Sequence, residues 1–423
     1  MRDCCPTPAG MSRRHFLRHV AGASAFAFPA FALTRTLRAH APALSRANKS
    51  AILIWLGGGP PTIDMWDMKP GAATAGPLKP ISTTGDFQIC EKLPKLAQQG
   101  KHLSIVRSMS TREADHERGR YYMHTGYVPN PSVEYPSYGS VISHELEDLV
   151  PQLEIPPFVS IGGPSEGPGF LGLAYAPFQV DANGRVRDTE MSVPWQRMAD
   201  RLKLLEAVEM RFINERRGSA AEEHAKVLGK TRDLLTSAQM KAFEVRSEPQ
   251  TMQEKYGDTN VGRGCLMARR LVEVGVPFVE VDFGGWDLHQ NCFTTLEAKL
   301  PELDQAYSAL MEDLEQRGLL ASTVVLCMGE FGRTPRINGD AGRDHFARAW
   351  SAVLGGAGIK GGRAIGKTNE DGTTVETDPY SSEDLMATVC KALDISLDTT
   401  FTTPSGRPMK IANSGRVIDE LFS

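Results

Sequence analysis

The sequence predicts an α/β fold, with a doubly wound, mostly parallel sheet and helices on both faces. Short continuous apolar runs recur along the chain, and glycine or proline bounds most of them, as expected for buried strands. Segments with apolar residues at helical spacing lie between these runs. Alternating buried strands and amphipathic helices are typical of a parallel sheet covered on both faces.

Six apolar runs are the predicted strands. The first is followed by the glycine-proline loop 57–61, and the fourth ends at two glycines. Because the carboxyl ends of parallel strands meet at one edge of a sheet, ligands in such folds bind there. The predicted strands are 51–56, 102–109, 157–161, 276–283, 323–328 and 350–354.

The clearest helix is predicted over 294–317. Thr294 and Glu297 suggest a capping box at its start, and Gly318 suggests its C-terminal stop. Its expected core stripe is Leu296, Leu300, Leu303, Tyr307, Leu310 and Leu314. A last helix is predicted over 382–393. A helical insertion is predicted at about 192–247, where the residues at helical spacing are Met198, Leu202, Leu205, Val208 and Phe212.

Composition excludes several classes of protein. The 423 residues are 41% hydrophobic and 23% charged, which excludes a collagen, a coiled-coil rod and a disordered tail. A net charge of −4 gives no electrostatic case for nucleic-acid binding. No apolar stretch is long enough to span a membrane. We predict one domain over 50–423, although the length also allows two or three.

The N-terminus predicts export. Arg13-Arg14 precedes Phe16-Leu17, and an apolar run over 20–33 follows, which is too short to span a bilayer. Small-residue cleavage sites end at Ala32 and Ala41. The paired arginines resemble a twin-arginine (Tat) signal, so we expect a signal and linker over 1–41, passage through the Tat translocase, and a periplasmic or extracellular destination. The alternative is an amphipathic N-terminal helix.

The spacing of the cysteines indicates neither a metal site nor a set of disulfide bonds. Five cysteines lie beyond the signal, they are far apart, and no C-x-x-C occurs among them. A disulfide scaffold or a zinc–cysteine site is therefore not expected, despite the oxidising destination.

Carboxylates, histidines and arginines follow several of the predicted strands. Carboxylates with imidazoles suit a divalent metal such as Zn, Mn, Mg or Ca, whereas arginine suits a tetrahedral oxyanion such as phosphate or sulfate. The candidate metal ligands are Asp64, Asp287, His289, Glu330, Asp344 and His345. The candidate catalytic residues are His116, Arg120 and Arg333.

Each candidate has a structural alternative. Glu330 closes an apolar strand, where a carboxylate needs a partner, and that partner could be Arg333 or Arg343 instead of a metal. Asp64 could cap a turn after Pro61. His116 could cap or pack at a helix start, and Asp344-His345 could be an orienting pair. His124 and His144 look like helix-surface residues.

Four segments resemble a bacterial family, domain of unknown function 1501. They are Gly57–Asp64, Trp286–His289, Gly329–Thr334 and Gly342–His345, and the resemblance runs from about Ser50 to the C-terminus. The family is placed within the alkaline phosphatase/sulfatase superfamily. The resemblance therefore implies a fold of that type and a metal site that handles phosphate or sulfate esters.

The superfamily motifs are altered in this chain. The sulfatase signature C-x-P-S-R-x-x-L-x-T-G aligns without gaps on 116–126, so that Arg120, Thr125 and Gly126 match and His116 replaces the formylglycine cysteine. Phe331 stands where the superfamily has a ligand histidine, and Gly58-Gly59 stand where it has a ligand aspartate. The resemblance thus implies one modified metal centre, with no formylglycine.

Two hypotheses follow. The first is an exported metal-dependent hydrolase of small-molecule or glycan sulfate or phosphate esters, in which water or His116 attacks and Arg120 and Arg333 hold the oxyanion. The second is a non-enzymatic envelope protein on a catalytically decayed scaffold, which recognises a polysaccharide or sulfated glycan. For His116, the positive end of a helix dipole predicts a neutral imidazole near pH 7.

Overall fold

A central eight-stranded sheet organises the unit from Asn48 to Ser423. The computed structural model describes residues 49–185, 193–214, 228–229, 234 and 236–423. The sheet strands are β1 (Ser50–Trp55), β4 (Leu103–Met109), β5 (Phe158–Ile161), β6 (Phe178–Val180), β7 (Phe278–Asp282), β8 (Thr323–Met328), β11 (Trp350–Gly355) and β12 (Arg363–Ile365). Short two-stranded pairs are formed by β2 (Pro80–Ser82) with β3 (Gln88–Cys90), β9 (Gly332–Arg333) with β10 (His345–Phe346), and β13 (Thr400–Thr402) with β14 (Pro408–Lys410).

Eight α-helices are described, and most of them cover the sheet. They are α1 (Pro94–Gln98), α2 (His116–Thr125), α3 (Tyr138–Leu146), α4 (Trp195–Asn214), α5 (Gln250–Tyr256), α6 (Asn260–Glu273), α7 (Cys292–Gln316) and α8 (Ser382–Ala392). Among the residues with described coordinates, no helix is both long enough and apolar enough to cross a bilayer.

The strand order is β12-β4-β11-β8-β1-β7-β5-β6. Every neighbouring pair is parallel except the two that contain β11, which runs antiparallel to both β4 and β8. The sheet is therefore mostly parallel, as the sequence predicts. Because β11 is reversed, the segment that precedes it reaches the edge where the parallel strands end.

Alternate residues of β1 belong to two separate apolar layers. Ile52 and Ile54 pack in the core beneath α6 and α7, whereas Ala51, Leu53 and Trp55 pack in the core beneath α2, α3 and α8. A central strand whose side chains are buried on both sides reads as one continuous apolar run. This packing confirms the predicted doubly wound arrangement, with helices on both faces.

The long helix α7 confirms its predicted core stripe but not its predicted cap. All six stripe residues, from Leu296 to Leu314, are fully buried. The helix begins at Cys292, after a left-handed Asn291 that makes no side-chain cap bond, so the capping box at Thr294 is wrong. Gly318 follows the helix at φ 72°, a conformation that favours glycine and ends the helix as predicted.

The predicted insertion contains α4, with exposed apolar residues, and a following part that packs in the core through Leu234, Ala242, Phe243 and Val245. Leu205 and Val208, which the spacing placed on one helical face, are 37% and 54% exposed. The predicted signal over 1–41 lies outside the described residues, so it stays a prediction. The five cysteines beyond it are all buried and free.

Candidate metal centre

Three sheet strands and the reversed strand bring the candidate residues to one edge. Loops after β1, β7 and β8 carry the Gly57–Gly59 turn, Asp287 with His289, and Glu330. Helix α2 begins there with His116, and the short strand β10, which precedes β11, carries His345. The edge is therefore assembled from five segments that are far apart in the sequence.

His116, Asp287 and His345 converge on one point. A nitrogen of each histidine and a carboxylate oxygen of Asp287 all lie within 4.8 Å of one another. Asp287 Oδ1 is 3.4 Å from His116 Nε2 and 3.5 Å from His345 Nε2. Two imidazoles and one carboxylate are the protein ligands of many catalytic zinc sites, which keep a further position open.

Hydrogen bonds orient both imidazoles of this trio toward the shared point. His116 Nδ1 lies 2.7 Å from Glu330 Oε1, and His345 Nδ1 lies 2.7 Å from the carbonyl oxygen of Ala114. In the neutral ring each Nδ1 is then the donor, so each Nε2 carries the free lone pair. Both Nε2 atoms are buried and have no hydrogen-bond partner. The donor set therefore fits a divalent metal ion.

Asp287 is half exposed, yet it is held in an ionised form. Arg333 Nη2 donates to its Oδ1, and His289 Nδ1 lies 2.7 Å from the same oxygen. Burial by itself raises the pKa of Asp287, but the hydrogen bond and charge of Arg333, with the charges of His116 and His289, lower it to about 2. The carboxylate is thus available to a cation at neutral pH. His289, a predicted ligand, contacts this carboxylate and is not part of the converging trio.

Glu330 lies behind His116, away from the point where the trio meets. Its Oε1 accepts from His116 Nδ1 and, at 2.9 Å, from the backbone N–H of Gly58. The alternative ion pair with Arg333 or Arg343 does not form, because those arginines pair with Asp287 and Asp64. Its Oε2 is buried without a hydrogen-bond partner. The geometry favours a carboxylate that orients His116 over a direct ligand.

The helix-end argument for a neutral His116 leaves out its contact with Glu330, which shifts the pKa in the opposite direction. The hydrogen bond to Glu330 raises the pKa of His116, and burial only partly opposes this effect. A direct bond to a carboxylate outweighs the weaker field of a helix end, which the sequence argument used. For His345 the shift is opposite: burial lowers its pKa, the Ala114 carbonyl opposes, and the charge on Arg333 adds to the lowering.

Both arginines that were predicted to bind the oxyanion make side-chain contacts with other groups of the protein. Arg333 is fully buried, and its guanidinium donates to backbone carbonyls and to Asp287. Arg120 donates to the Pro164 carbonyl and lies 3.3 Å from Glu166. Every nitrogen of Arg333 donates to a protein oxygen, so the expectation that it holds the oxyanion is corrected. Arg120 is 24% exposed, and its role as an oxyanion-binding residue stays a prediction.

Asp64 and Asp344 also lie outside the trio. Both oxygens of the buried Asp64 accept from Arg343, at 2.7 and 2.8 Å, in a bidentate ion pair. Asp344 is exposed and accepts from Asn338 Nδ2 at 3.1 Å. The expectation that these two carboxylates are ligands of this centre is corrected, because Arg343 occupies both oxygens of Asp64 and neither residue belongs to the trio whose ligand atoms converge.

A second histidine–glutamate pair was not predicted from the sequence. His124, expected on the helix surface, is 3% exposed, and its Nε2 lies 3.1 Å from the fully buried Glu280 of β7. Ser165 also donates to Glu280, and Arg120 Nη2 lies 3.8 Å from it. The available signal was a carboxylate inside the apolar run Phe278–Asp282, where an unpaired charge would be costly.

The fold and this edge define an α/β protein with a candidate mononuclear metal centre. The sequence model of one family, described as protein of unknown function (DUF1501), matches residues 48–422. The chain belongs to this family, as its motifs suggested. None of the curated proteins compared with the chain matches it.

Several solved structures are similar to the chain at low sequence identity. The PsFucS1 sulfatase from Pseudoalteromonas sp. is 11% identical with a TM-score of 0.39, over 82% of this chain and 68% of that one. The alkaline phosphatase from the Antarctic bacterium TAB5 is 10% identical with a TM-score of 0.36, over 82% and 98%. The phosphonate monoester hydrolase SpPMH from Silicibacter pomeroyi is 11% identical with a TM-score of 0.35, over 88% and 76%. At this level of similarity, the chemistry follows only from the residues of the site.

Proposed function

We propose that this protein is an exported, metal-dependent hydrolase of phosphate or sulfate esters. The convergence of His116, Asp287 and His345, with both Nε2 atoms buried and free of hydrogen bonds, carries the proposal. Buried nitrogens without partners are costly, and a bound divalent ion would satisfy both at once.

The surrounding residues present these three donors in a fixed arrangement. Glu330 and the Ala114 carbonyl hold the two imidazoles by Nδ1, and Arg333 holds the Asp287 carboxylate. Outer hydrogen bonds of this kind orient metal ligands and strengthen them as donors. A divalent ion bound there supplies Lewis-acid catalysis of ester hydrolysis.

His116 is assigned here as a ligand in preference to a nucleophile. Its Nδ1 is occupied by Glu330, and its Nε2 lies beside Asp287 and His345. A nucleophilic nitrogen would need an open approach for the ester, whereas this atom is buried and faces the other two donors. Attack therefore falls to water, and the three ligands serve to hold the ion.

The substrate class rests on the sequence motifs and on charge. The motif resemblance to the alkaline phosphatase/sulfatase superfamily points to phosphate or sulfate esters. The mouth of the site is open, since Asp287 and His289 have side chains that are 50% and 44% exposed. A divalent ion flanked by imidazoles at an open edge suits an anionic ester group on a small molecule or a glycan.

Elemental analysis and ester hydrolysis test the proposal together. We expect about one divalent ion per purified chain, with hydrolysis of aryl phosphate or aryl sulfate that a chelator abolishes and added Zn²⁺ or Mn²⁺ restores. A folded chain with no bound metal and no turnover of either ester would contradict the proposal. That result would favour a non-enzymatic glycan-binding protein on the same scaffold.

Export is a separate part of the proposal. The ordered basic, apolar and small-residue segments support Tat export, and the destination is then the periplasm or the exterior. Replacing Arg13-Arg14 with Lys-Lys should leave the protein in the cytoplasm, measured by fractionation and immunoblotting. Unchanged recovery of processed protein outside the cytoplasm would overturn this part alone.

A further inference from the structure

Arg333 is enclosed by oxygen atoms, apart from His289 Nδ1, which lies 3.3 Å from its Nη1. Its Nε donates to the Gly59 carbonyl at 2.8 Å, its Nη1 donates to the Arg343 carbonyl at 3.1 Å, and its Nη2 donates to the Gly58 carbonyl and to Asp287. The side chain has no exposed surface. Three carbonyls and a carboxylate are the donors that elsewhere surround a hard cation, so the guanidinium occupies a cation cage.

The cage joins three separate segments of the metal centre. Gly58 and Gly59 belong to the loop after β1, Asp287 to the loop after β7, and Arg343 to the segment that carries His345. Gly58 has φ 113° and Gly59 has φ 67°, a left-handed backbone that glycine adopts readily. A Cβ on Gly58 would lie 2.5 Å from the backbone nitrogen of Asp287, so these loops approach closely.

Arg343 holds the far side of the cage. Its carbonyl accepts from Arg333, while its own buried guanidinium makes the bidentate pair with Asp64 and donates to the Thr334 carbonyl at 3.0 Å. The position of the cage is thus set by packed, hydrogen-bonded groups. The Arg333 charge cannot swing away from Asp287 without breaking this arrangement.

We propose that Arg333 is a positioning residue whose guanidinium acts as a built-in cation, which presents Asp287 to one metal ion and excludes a second. This inference rests on the proposed function, because it requires that the centre binds a metal. Ions in two-metal sites lie roughly 3.5–4 Å apart and share ligands. Arg333 Nη2 and the Nε2 atoms of His116 and His345 all face Asp287 Oδ1, so one bound ion would share that oxygen with the guanidinium. A second ion on the same carboxylate would add another like charge at similar range, where repulsion is strong.

Zinc titration of the metal-free full-length chain tests this role without an activity assay. The wild type should bind one Zn²⁺ by isothermal titration calorimetry. Arg333→Ala should raise the Zn²⁺ dissociation constant by about 10–100-fold, because Asp287 loses the group that orients it. Millimolar guanidinium, far below denaturing concentrations, should recover most of the affinity by refilling the cage.

Arg269→Ala is the matched control. Arg269 is 1% exposed and pairs with Glu248 and Asp313, and it makes no contact with the trio. Its loss should lower stability, while Zn²⁺ affinity stays at the wild-type value and does not respond to guanidinium. This control separates a general loss of packing from the specific loss of a cation beside Asp287.

Arg333→Lys covers the case in which Arg333→Ala does not fold. Lysine keeps the charge but cannot reach all four oxygens, so we expect one Zn²⁺ with weakened affinity. Two Zn²⁺ per wild-type chain, or an unchanged dissociation constant in whichever variant folds, would overturn the inference while the proposed function stands. A wild-type chain that binds no Zn²⁺ would overturn both.

Discussion

Helix α2 carries two histidine–glutamate pairs of opposite character. His124 is buried, and both of its ring nitrogens have partners, namely Glu280 and the Arg120 carbonyl. His116, two turns earlier, shares one nitrogen with Glu330 and leaves the other without a hydrogen bond beside Asp287 and His345. The same residue types thus make a structural pair in the core and an incomplete set of donors at the sheet edge.

The two pairs differ at the second nitrogen of the histidine. Glu280 and Glu330 are both almost fully buried, so burial of the carboxylate does not separate the two. What separates them is the second nitrogen of the histidine, which is satisfied inside the protein for His124 and unsatisfied for His116. A buried polar atom without a partner is uncommon enough in folded proteins to need an explanation.

Replacing His116 has the largest expected effect on function. His116→Ala removes one of three donors, so bound metal should be lost and kcat/KM for ester hydrolysis should fall by roughly a thousandfold, about 4 kcal/mol. Stability should change by only about 1–2 kcal/mol, because the ring is one third exposed. Elemental analysis, an ester assay and urea unfolding measure the three quantities. A variant that keeps its full metal content would show that His116 is not a ligand.

Replacing His124 should have the reverse effect. His124→Ala leaves Glu280 buried with only Ser165 and Arg120 as partners, so we expect a loss of about 3 kcal/mol in the free energy of unfolding. Metal content should stay at the wild-type value. Urea unfolding with elemental analysis checks both expectations, and metal loss without destabilisation would reverse the roles assigned to the two pairs.

The pH dependence of the buried pair has a defined sign. Burial alone raises the pKa of Glu280, but the charge and hydrogen bond of His124, with Arg120, lower it below the ordinary value of 4.5. A lowered folded-state pKa contributes stability above the unfolded pKa and loses it as pH falls through the folded pKa. The stability difference between wild type and Glu280→Gln should therefore shrink below about pH 4.5. A difference that grows on acidification would contradict the assignment.

Replacing Glu330 tests whether this carboxylate is a metal ligand or only orients His116. Glu330→Gln keeps an oxygen that can accept from His116 and Gly58 but removes the charge, so metal affinity should fall by about tenfold. Calorimetric titration with Zn²⁺ measures the change. Complete loss of binding, as expected for His116→Ala, would show instead that Glu330 binds the metal through Oε2.

The smallest effect is expected at the start of the shared helix. Asp115 is the N-cap of α2, and its side chain accepts from the Arg118 backbone nitrogen at 3.1 Å. Asp115→Ala should cost about 1 kcal/mol of stability. Metal affinity should stay within about threefold of wild type, since neither histidine pair is touched. A larger loss of affinity would mean that the cap, and not Glu330, sets the position of His116.

The sequence was sufficient for the central strands because both of their faces are buried. Continuous apolar runs such as Thr323–Met328 have the length and composition of a buried strand. Their predicted bounds match the structure to within about two residues. The edge strands Phe178–Val180 and Arg363–Ile365 are not predicted, since three residues of which only one is buried carry no periodic signal. The antiparallel direction of β11 was equally invisible, because strand direction depends on pairing.

The sequence was enough to predict which residue types form the site, but only some of the contacts between them. The sequence by itself determined that His116 and Asp287 follow strands that end at one edge, because parallel strands share that edge. His345 reaches the same edge only because β11, which it precedes, runs antiparallel to its neighbours. Only the tertiary structure decided that Arg333 and Arg343 hold Asp287 and Asp64, and that His124 turns into the core. Charged side chains have several possible partners at similar energies, and which partner wins depends on distances of a few ångströms between segments that are distant in sequence.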